Sequence, residues 1–266
     1  MADLAILAGS GQLPVSLASA YPDAFIVSFE GMQTEVSSDT CVRFEHLGSL
    51  FKRLHHEGVV KIVMAGAMSR PSLNPTDFDD GMAKIAPQLL AAMSGGDDGL
   101  LREIIKIFED QGFQVVGAHS LLPELTAPEG VLCGPEISDE QKADIRRADS
   151  ILGTLSPVDV GQAVVVEAGI CLGVETIQGT DALLEFVSNT SDNLRRGSGI
   201  LVKRPKVGQD LRVDMPTIGP ATVQNAITAG LAGIVISPGS VLLVDRDAIV
   251  DMASKAGFFV VARRHT

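Results

Sequence analysis

Leu4-Ala5-Ile6-Leu7-Ala8-Gly9-Ser10-Gly11-Gln12-Leu13-Pro14 is the stretch that decides the fold. Leu4 to Ala8 reads as a short apolar strand. Gly9 to Gly11 is a turn, and a helical stretch follows through Ala18, with Pro14 tolerated in the first turn. Working outward, Phe25 to Ser28 reads as a second strand, Leu47 to His56 as a helix, and Val59 to Met64 as a third strand ending at Ala65-Gly66-Ala67. Two helices follow. Met82 to Met93 is apolar on more than one face, which predicts deep burial. Asp98 to Glu109 carries a helix-period stripe of Leu100, Leu101, Ile104, Ile105 and Phe108. Phe113 to Val116 is another strand, ending at Gly117-Ala118-His119. Alternating strands and helices predict a parallel sheet with crossover helices.

Breakers at Ala127-Pro128-Glu129-Gly130 and Gly134-Pro135 place a boundary within 125–137, giving domains of residues 1–130 and 131–266. Ser138-Asp139-Glu140-Gln141 then has the capping signature of a helix running toward Leu152. Ala163 to Glu167 and Ile170 to Thr176 flank Ala168-Gly169 and read as a hairpin. Gly179-Thr180-Asp181 opens a helix through about Val187, with Thr180 or Asp181 available as a cap. Leu201 to Lys203 is a strand and Ala221 to Leu231 a helix. Ile234 to Ser237 and Val241 to Val244 flank a Pro-Gly turn and read as a second hairpin. A helix through Ala256 and a strand from Phe258 to Ala262 follow. The fold class is α/β, with a parallel-sheet first half and a second half that mixes hairpins with helices.

The chain has 266 residues, 45% of them hydrophobic, which supports a sizeable core. A net charge of −12 argues against nucleic acid as a partner, since that needs basic patches. Cys41, Cys133 and Cys171 are far apart with no C-x-x-C, which fits buried thiols in a reducing compartment. The N-terminus lacks the basic region of a signal peptide, and no apolar run is long enough to span a bilayer. The expected location is cytoplasmic, with room for peripheral contact with a membrane.

Two features carry chemistry. Gly9 and Gly11 after a strand, with Glu30 about 20 residues on, suggest dinucleotide binding and a nicotinamide-dependent oxidoreductase, but Pro14 replaces the third glycine. The N–H groups of Ser10 to Gln12 can cradle an anion at a helix start, or the glycines can simply make a tight turn. The second feature is Leu201 to Gly219, where Lys203, Arg204, Lys206 and Arg212 sit beside Asp210 and Asp214. Cations hold phosphate oxygens, and a carboxylate pair can hold Mg²⁺. A solvated loop with scattered ion pairs is the other reading. Ser94-Gly95-Gly96-Asp97-Asp98 places acids at a helix start, where caps are common. The histidines show no ligand spacing, and His119 reads as structural. Neither G-x-S-x-G nor a Walker A motif is present.

These motifs together resemble the LpxI family, the UDP-2,3-diacylglucosamine pyrophosphatases of lipid A synthesis. The resemblance covers nearly the whole chain. It rests on Ala8-Gly9 with Gly11-x-Leu13-Pro14, Ser69-Arg70-Pro71, Gly96-Asp97-Asp98, Gly117-Ala118-His119, Asp159-x-Gly161-Gln162, Gly179-Thr180-Asp181, Lys203, and Arg212-Val213-Asp214-x-Pro216-Thr217-Ile218-Gly219. It implies an N-terminal Rossmann-like parallel-sheet domain plus a C-terminal mixed α/β domain with a ligand cleft between them, Mg²⁺-dependent hydrolysis of a lipidated nucleotide-sugar, and a homodimer. It makes Asp214 the essential aspartate, binding the metal or orienting water; residue chemistry adds Asp210 and Asp181 as candidate further metal ligands through water. Gly11, Gln12, Ser69, Asp97, Asp98, Gln162, Thr180, Asp181, Lys203, Arg212 and Thr217 are the implied substrate contacts. Lys203 and Arg212 suit phosphate, whereas Arg204 and Lys206 read as solvated charges. The helix Met82 to Met93 is either a wall for acyl chains or plain core. A passive nucleotide- or lipid-binding protein is the non-catalytic alternative.

Overall fold

The computed structural model describes residues 2–93 and 97–265. The chain forms two compact units, Met1–Pro123 with Asp210–Asp214, and Glu124–Gln209 with Met215–Thr266.

The first unit runs β1 (Leu4–Ala8), α1 (Gln12–Ala20), β2 (Phe25–Phe29), β3 (Thr40–Val42), α2 (Leu47–Glu57), β4 (Lys61–Ala65), α3 (Asp80–Met93), α4 (Asp97–Asp110), β5 (Gln114–Val116) and the single turn α5 (Ala118–Leu121). Its sheet has the order β3-β2-β1-β4-β5, and every pair is parallel. This is the strand order of a Rossmann-type sheet, with the direction of winding reversing between β1 and β4. All five residues of β1 are buried, as a central strand covered on both faces requires. α2 presents Leu47, Leu50, Phe51 and Leu54 to the core at helical spacing. Phe51 meets Phe108 of α4 edge-on with centroids 5.3 Å apart. α3 buries one face only, Met82, Ile85, Ala86 and Leu89, and leaves Leu90 exposed. The expected burial on several faces is therefore not realised, and the buried face is core. Val213, from the returning segment, packs on the same core.

The second unit contains β6 (Gly130–Cys133), α6 (Asp139–Leu155), β7 (Ala163–Glu167), β8 (Ile170–Val174), α7 (Gly179–Ser188), β9 (Ile200–Lys203), β10 (Thr217–Ile218), α8 (Pro220–Thr228), β11 (Gly233–Ile236), β12 (Leu242–Leu243), α9 (Arg246–Ala256) and β13 (Phe259–Ala262). The main sheet is mixed, with order β6-β13-β11-β9-β7-β8. Alternate residues face opposite ways along a strand. Val164, Val166 and Val202 therefore pack with Ile145, Ala148 and Leu152 of α6. Val165 and Leu201 join the other core, with Leu183, Val223 and Ile249 of α7, α8 and α9. Ser138 caps α6 with the reciprocal Ser–Gln141 bonds its sequence signals. The β7–β8 hairpin forms as expected, and Asp144 of α6 accepts from the N–H groups of both turn residues, Ala168 and Gly169.

Two expectations fail here. The breaker-rich stretch holds a strand, β6, antiparallel to β13. The hairpin expected around Pro238-Gly239 does not form. β11 has parallel partners on both edges, β9 and β13, so neither edge is open to the strand that follows. That strand, β12, pairs with β10 in a separate two-stranded sheet. The thiols also differ from expectation: Cys41 and Cys171 are exposed and Cys133 is half-buried.

Candidate active site

In the first unit the glycine turn is a packing device. Ser10 and Ala67 exchange two backbone hydrogen bonds of 3.0 Å, joining the loops after β1 and β4. A Cβ at Gly9 would lie 2.4 Å from the Ala67 carbonyl oxygen, and one at Gly66 2.5 Å from that of Ser10. The N–H of Gly11 donates to Glu35 Oε2 at 2.7 Å. Internal acceptors thus hold the donors of Ser10 and Gly11, and the turn lends no support to the nicotinamide reading. Gln12 is exposed at the start of α1. Glu30 follows β2 and lines a cleft of about 400 Å³ with Arg43, Glu45, Ser69 and Arg70. Ser69 donates to the Met32 sulfur at 3.3 Å.

The returning segment lies against α4. Arg212 Nη1 donates to Glu109 Oε1 at 2.7 Å, and Nη2 donates to Asp210 Oδ2 at 2.7 Å. Nε and the backbone N–H of Arg212 both donate to Asp210 Oδ1 at 3.0 Å. These bonds hold the Asp210 carboxyl below the usual carboxylate range against the opposing effect of burial, and Arg102 adds to them. The same contact with Asp210 raises the guanidinium of Arg212 above its ordinary value, with Glu109 contributing. Arg102 in turn pairs with Asp98. One face of α4 therefore gathers Asp98, Asp210 and Arg212. Asp97 begins α4; its side chain and the loop Ser94-Gly95-Gly96 lie outside the described residues. Asp214 is half-buried, and its N–H donates to the Asp210 carbonyl at 3.3 Å. A Cβ at Gly117 would lie 3.2 Å from Arg212 Cα and 2.5 Å from the His119 ring, so a side chain there would crowd both. His119 Nδ1 is buried with no hydrogen-bond partner among the described residues.

In the second unit Lys203 ends β9 and is only 7% exposed. Its Nζ donates to Thr180 Oγ1 at 2.6 Å, and Thr180 Oγ1 donates to Glu175 Oε2 at 3.2 Å. Thr180 is therefore not a helix cap; Gln178 occupies that position and makes no side-chain cap bond. Gln162 precedes β7, and its carbonyl accepts from the Arg204 N–H at 2.9 Å. Asp181 is held elsewhere: it accepts from Asn225 Nδ2 at 3.0 Å beside a cleft of about 330 Å³ on α7 and α8. Thr217 donates to the Met215 carbonyl at 3.1 Å. Arg204 and Lys206 are not solvated charges. Arg204 is buried, bonded to the Asp149 carbonyl at 2.6 Å and paired with its carboxylate at 3.3 Å. Lys206 pairs with Asp159, which its left-handed backbone places at the end of a turn. Burial lowers the Arg204 guanidinium below its ordinary value, and Asp149 opposes that shift.

Glu175 and Glu109 are the site residues that the sequence does not expose. Each is an acid at the end of an ordinary element, and its significance comes from a partner distant in sequence. Gly161 is the nearest available signal for Glu175: its positive φ of 57° lets the chain approach so closely that a Cβ would lie 2.1 Å from the Glu175 carbonyl oxygen.

For Mg²⁺ the donor set is sparse. Among the described residues no three His, Cys, Asp or Glu gather as a metal site. A carboxylate plus water and phosphate oxygens suffices for this ion. Asp210 is engaged on both oxygens by Arg212, which sets it against a role as metal ligand.

A Rossmann-type parallel sheet and a second mixed sheet flanked by helices define a two-domain α/β protein. Residues 3–125 match the LpxI N-terminal domain and residues 128–261 the LpxI C-terminal domain. The chain is 39% identical over 272 residues to UDP-2,3-diacylglucosamine pyrophosphatase LpxI of Caulobacter vibrioides, covering 98% of this chain and 97% of that protein. The chain belongs to the LpxI family.

Proposed function

We propose that this protein hydrolyses the pyrophosphate of UDP-2,3-diacylglucosamine to UMP and 2,3-diacylglucosamine 1-phosphate, a step of lipid A synthesis. The observation that carries this reading is the 39% identity, over almost the full length of both chains, to a protein of that name. In the reaction a water oxygen bonds to one phosphorus and the bridging P–O bond breaks. The water's protons are lost to the product phosphate and solvent. Such chemistry asks for charge neutralisation and an oriented nucleophile rather than a covalent intermediate.

The chain's residues divide this work. Asp214 holds the metal ion or orients the water. Bound Mg²⁺ would neutralise charge developing on the phosphate oxygens. Arg212, fixed by Asp210 and Glu109, holds the segment that carries Asp214. Lys203, nearly buried and steered by Thr180, binds a phosphate oxygen. Burial strengthens such a contact because water screens it less. Ser69 and its cleft are the first unit's candidate for the substrate's polar groups. The reading includes a cytoplasmic homodimer that meets its lipidated substrate at the membrane surface. No helix among the described residues is long and apolar enough to cross a membrane.

The test is UMP release from UDP-2,3-diacylglucosamine in detergent micelles, with Mg²⁺ or with EDTA. We expect release that EDTA abolishes. Asp214→Ala should lose at least about 10²-fold while melting as the wild type does, the scale seen when a key electrostatic group is removed. No release by the wild type would overturn the activity. Release undiminished in EDTA would overturn the metal, and an active Asp214→Ala the assignment of that residue.

A further inference from the structure

We infer that Glu175 is a positioning residue: through the Thr180 hydroxyl it aims the Lys203 ammonium at the substrate's phosphate. The inference rests on the pyrophosphatase reading and names a residue outside the motifs that carry it.

The direction of the chain follows from what each group can do. A lysine ammonium only donates, an ionised carboxylate only accepts, and a hydroxyl has one proton to give and lone pairs to receive. Thr180 Oγ1 lies 2.6 Å from Lys203 Nζ and 3.2 Å from Glu175 Oε2. Its one proton therefore goes to Glu175, and a lone pair faces Lys203. Glu175 fixes the hydroxyl rotor, and the rotor fixes one of the three ammonium donors. Ionised groups stand at both ends, and bonds in such a chain strengthen one another.

The three residues stand on separate supports. Thr180 is in the first turn of α7 and is 8% exposed. Lys203 is the last residue of β9. Glu175 follows β8, and its N–H donates to the Ala163 carbonyl at 2.8 Å. Its carbonyl lies against Gly161, where any side chain would collide. The Glu175 backbone is thus clamped on both sides next to the start of β7, and Ala163 of β7 is in register with Lys203 of β9. A lysine has a flexible four-carbon stem. A carboxylate anchored in this way gives it one preferred aim. A capping role for the Thr180 hydroxyl is not realised, so its polar atom serves this relay.

The experiment is steady-state kinetics of UMP release by the full-length protein and five variants: Thr180→Val, Thr180→Ser, Glu175→Gln, Lys203→Met and the double variant Lys203→Met/Thr180→Val. Misaiming a group by a fraction of an ångström costs rate steeply, so Thr180→Val and Glu175→Gln should each lower kcat/KM by about tenfold or more. Thr180→Ser keeps the hydroxyl and should stay within about threefold of the wild type, since only a methyl is lost. The double variant should be no slower than Lys203→Met alone, because the relay works only through that amine. A packing role predicts the reverse order, since valine fills threonine's volume and serine does not. Thr180→Val at the wild-type rate would overturn the relay. So would serine falling as far as valine, or losses that multiply in the double variant. If Thr180→Val does not fold, Glu175→Gln decides: wild-type kinetics would overturn the inference. Absence of UMP release from the wild type is a different failure, sinking the pyrophosphatase reading and this inference with it.

Discussion

Arg212 in the first unit is braced by carboxylates on two sides, its side chain 38% exposed. Lys203 in the second is almost out of solvent and meets a hydroxyl whose proton is committed elsewhere. The charge of Arg212 is largely answered within the protein. Its planar fork serves geometry, binding both Asp210 oxygens and reaching Glu109 on α4. One contact of Lys203 is a hydroxyl that is itself tied to Glu175. The difference teaches that two like charges can be held in different ways: carboxylates grip the Arg212 fork directly, whereas a hydroxyl stands between Lys203 and Glu175.

That contrast can be broken by experiment. The largest effect is expected for Lys203→Met. UMP formation should fall about 10²-fold, measured well below the variant's own melting temperature so that unfolding contributes nothing. Activity within about threefold of the wild type under those conditions would make Lys203 a structural cation after all. Arg212→Met should cost less activity. Activity should fall about tenfold through displacement of Asp214, and urea denaturation should show a loss of about 1 kcal/mol, discounted for solvent exposure. An unchanged urea midpoint would remove the clamp.

The clamp also carries a pH signature. Asp210 is held below its ordinary range in the folded protein, chiefly by Arg212. Its stabilisation is therefore complete above the unfolded carboxyl's value of about 3.9 and is lost as pH falls through the lower folded value. The stability difference between wild type and Arg212→Met should be constant above about pH 5 and should close below about pH 4. A difference that grew on acidification would contradict the assignment. The smallest effect tests whether the Lys203 relay depends on global stability. Ala168 holds a positive φ of 46° in the β7–β8 turn. Ala168→Gly should raise stability by about 0.5 kcal/mol and leave UMP formation unchanged.

Most strands and helices were legible because their signals are local: apolar runs, helical spacing, the Ser138 capping box and the Ala168-Gly169 turn. The Asp214 string and Lys203 also stood out. What the sequence hid depends on partners far along the chain. The Pro238-Gly239 turn looks like a hairpin until both edges of β11 are seen to be filled. Arg204 and Lys206 look solvated until Asp149 and Asp159 meet them. Asp210 looks like a metal ligand until Arg212 engages both its oxygens. Glu175 carries no local mark, since a single acid after a strand is commonplace.

The return of Asp210–Asp214 to the first unit also sets an order of assembly during synthesis. Residues up to Pro123 leave the ribosome first, and roughly ninety residues of other structure follow before the segment that completes their unit. At about 5–20 residues per second this is an interval of about 5–20 s. Throughout it Val213 is missing from the core it packs on, and Glu109 awaits Arg212. A fragment ending at Pro123 lacks Val213 and Arg212 altogether, as the nascent chain does until the segment emerges.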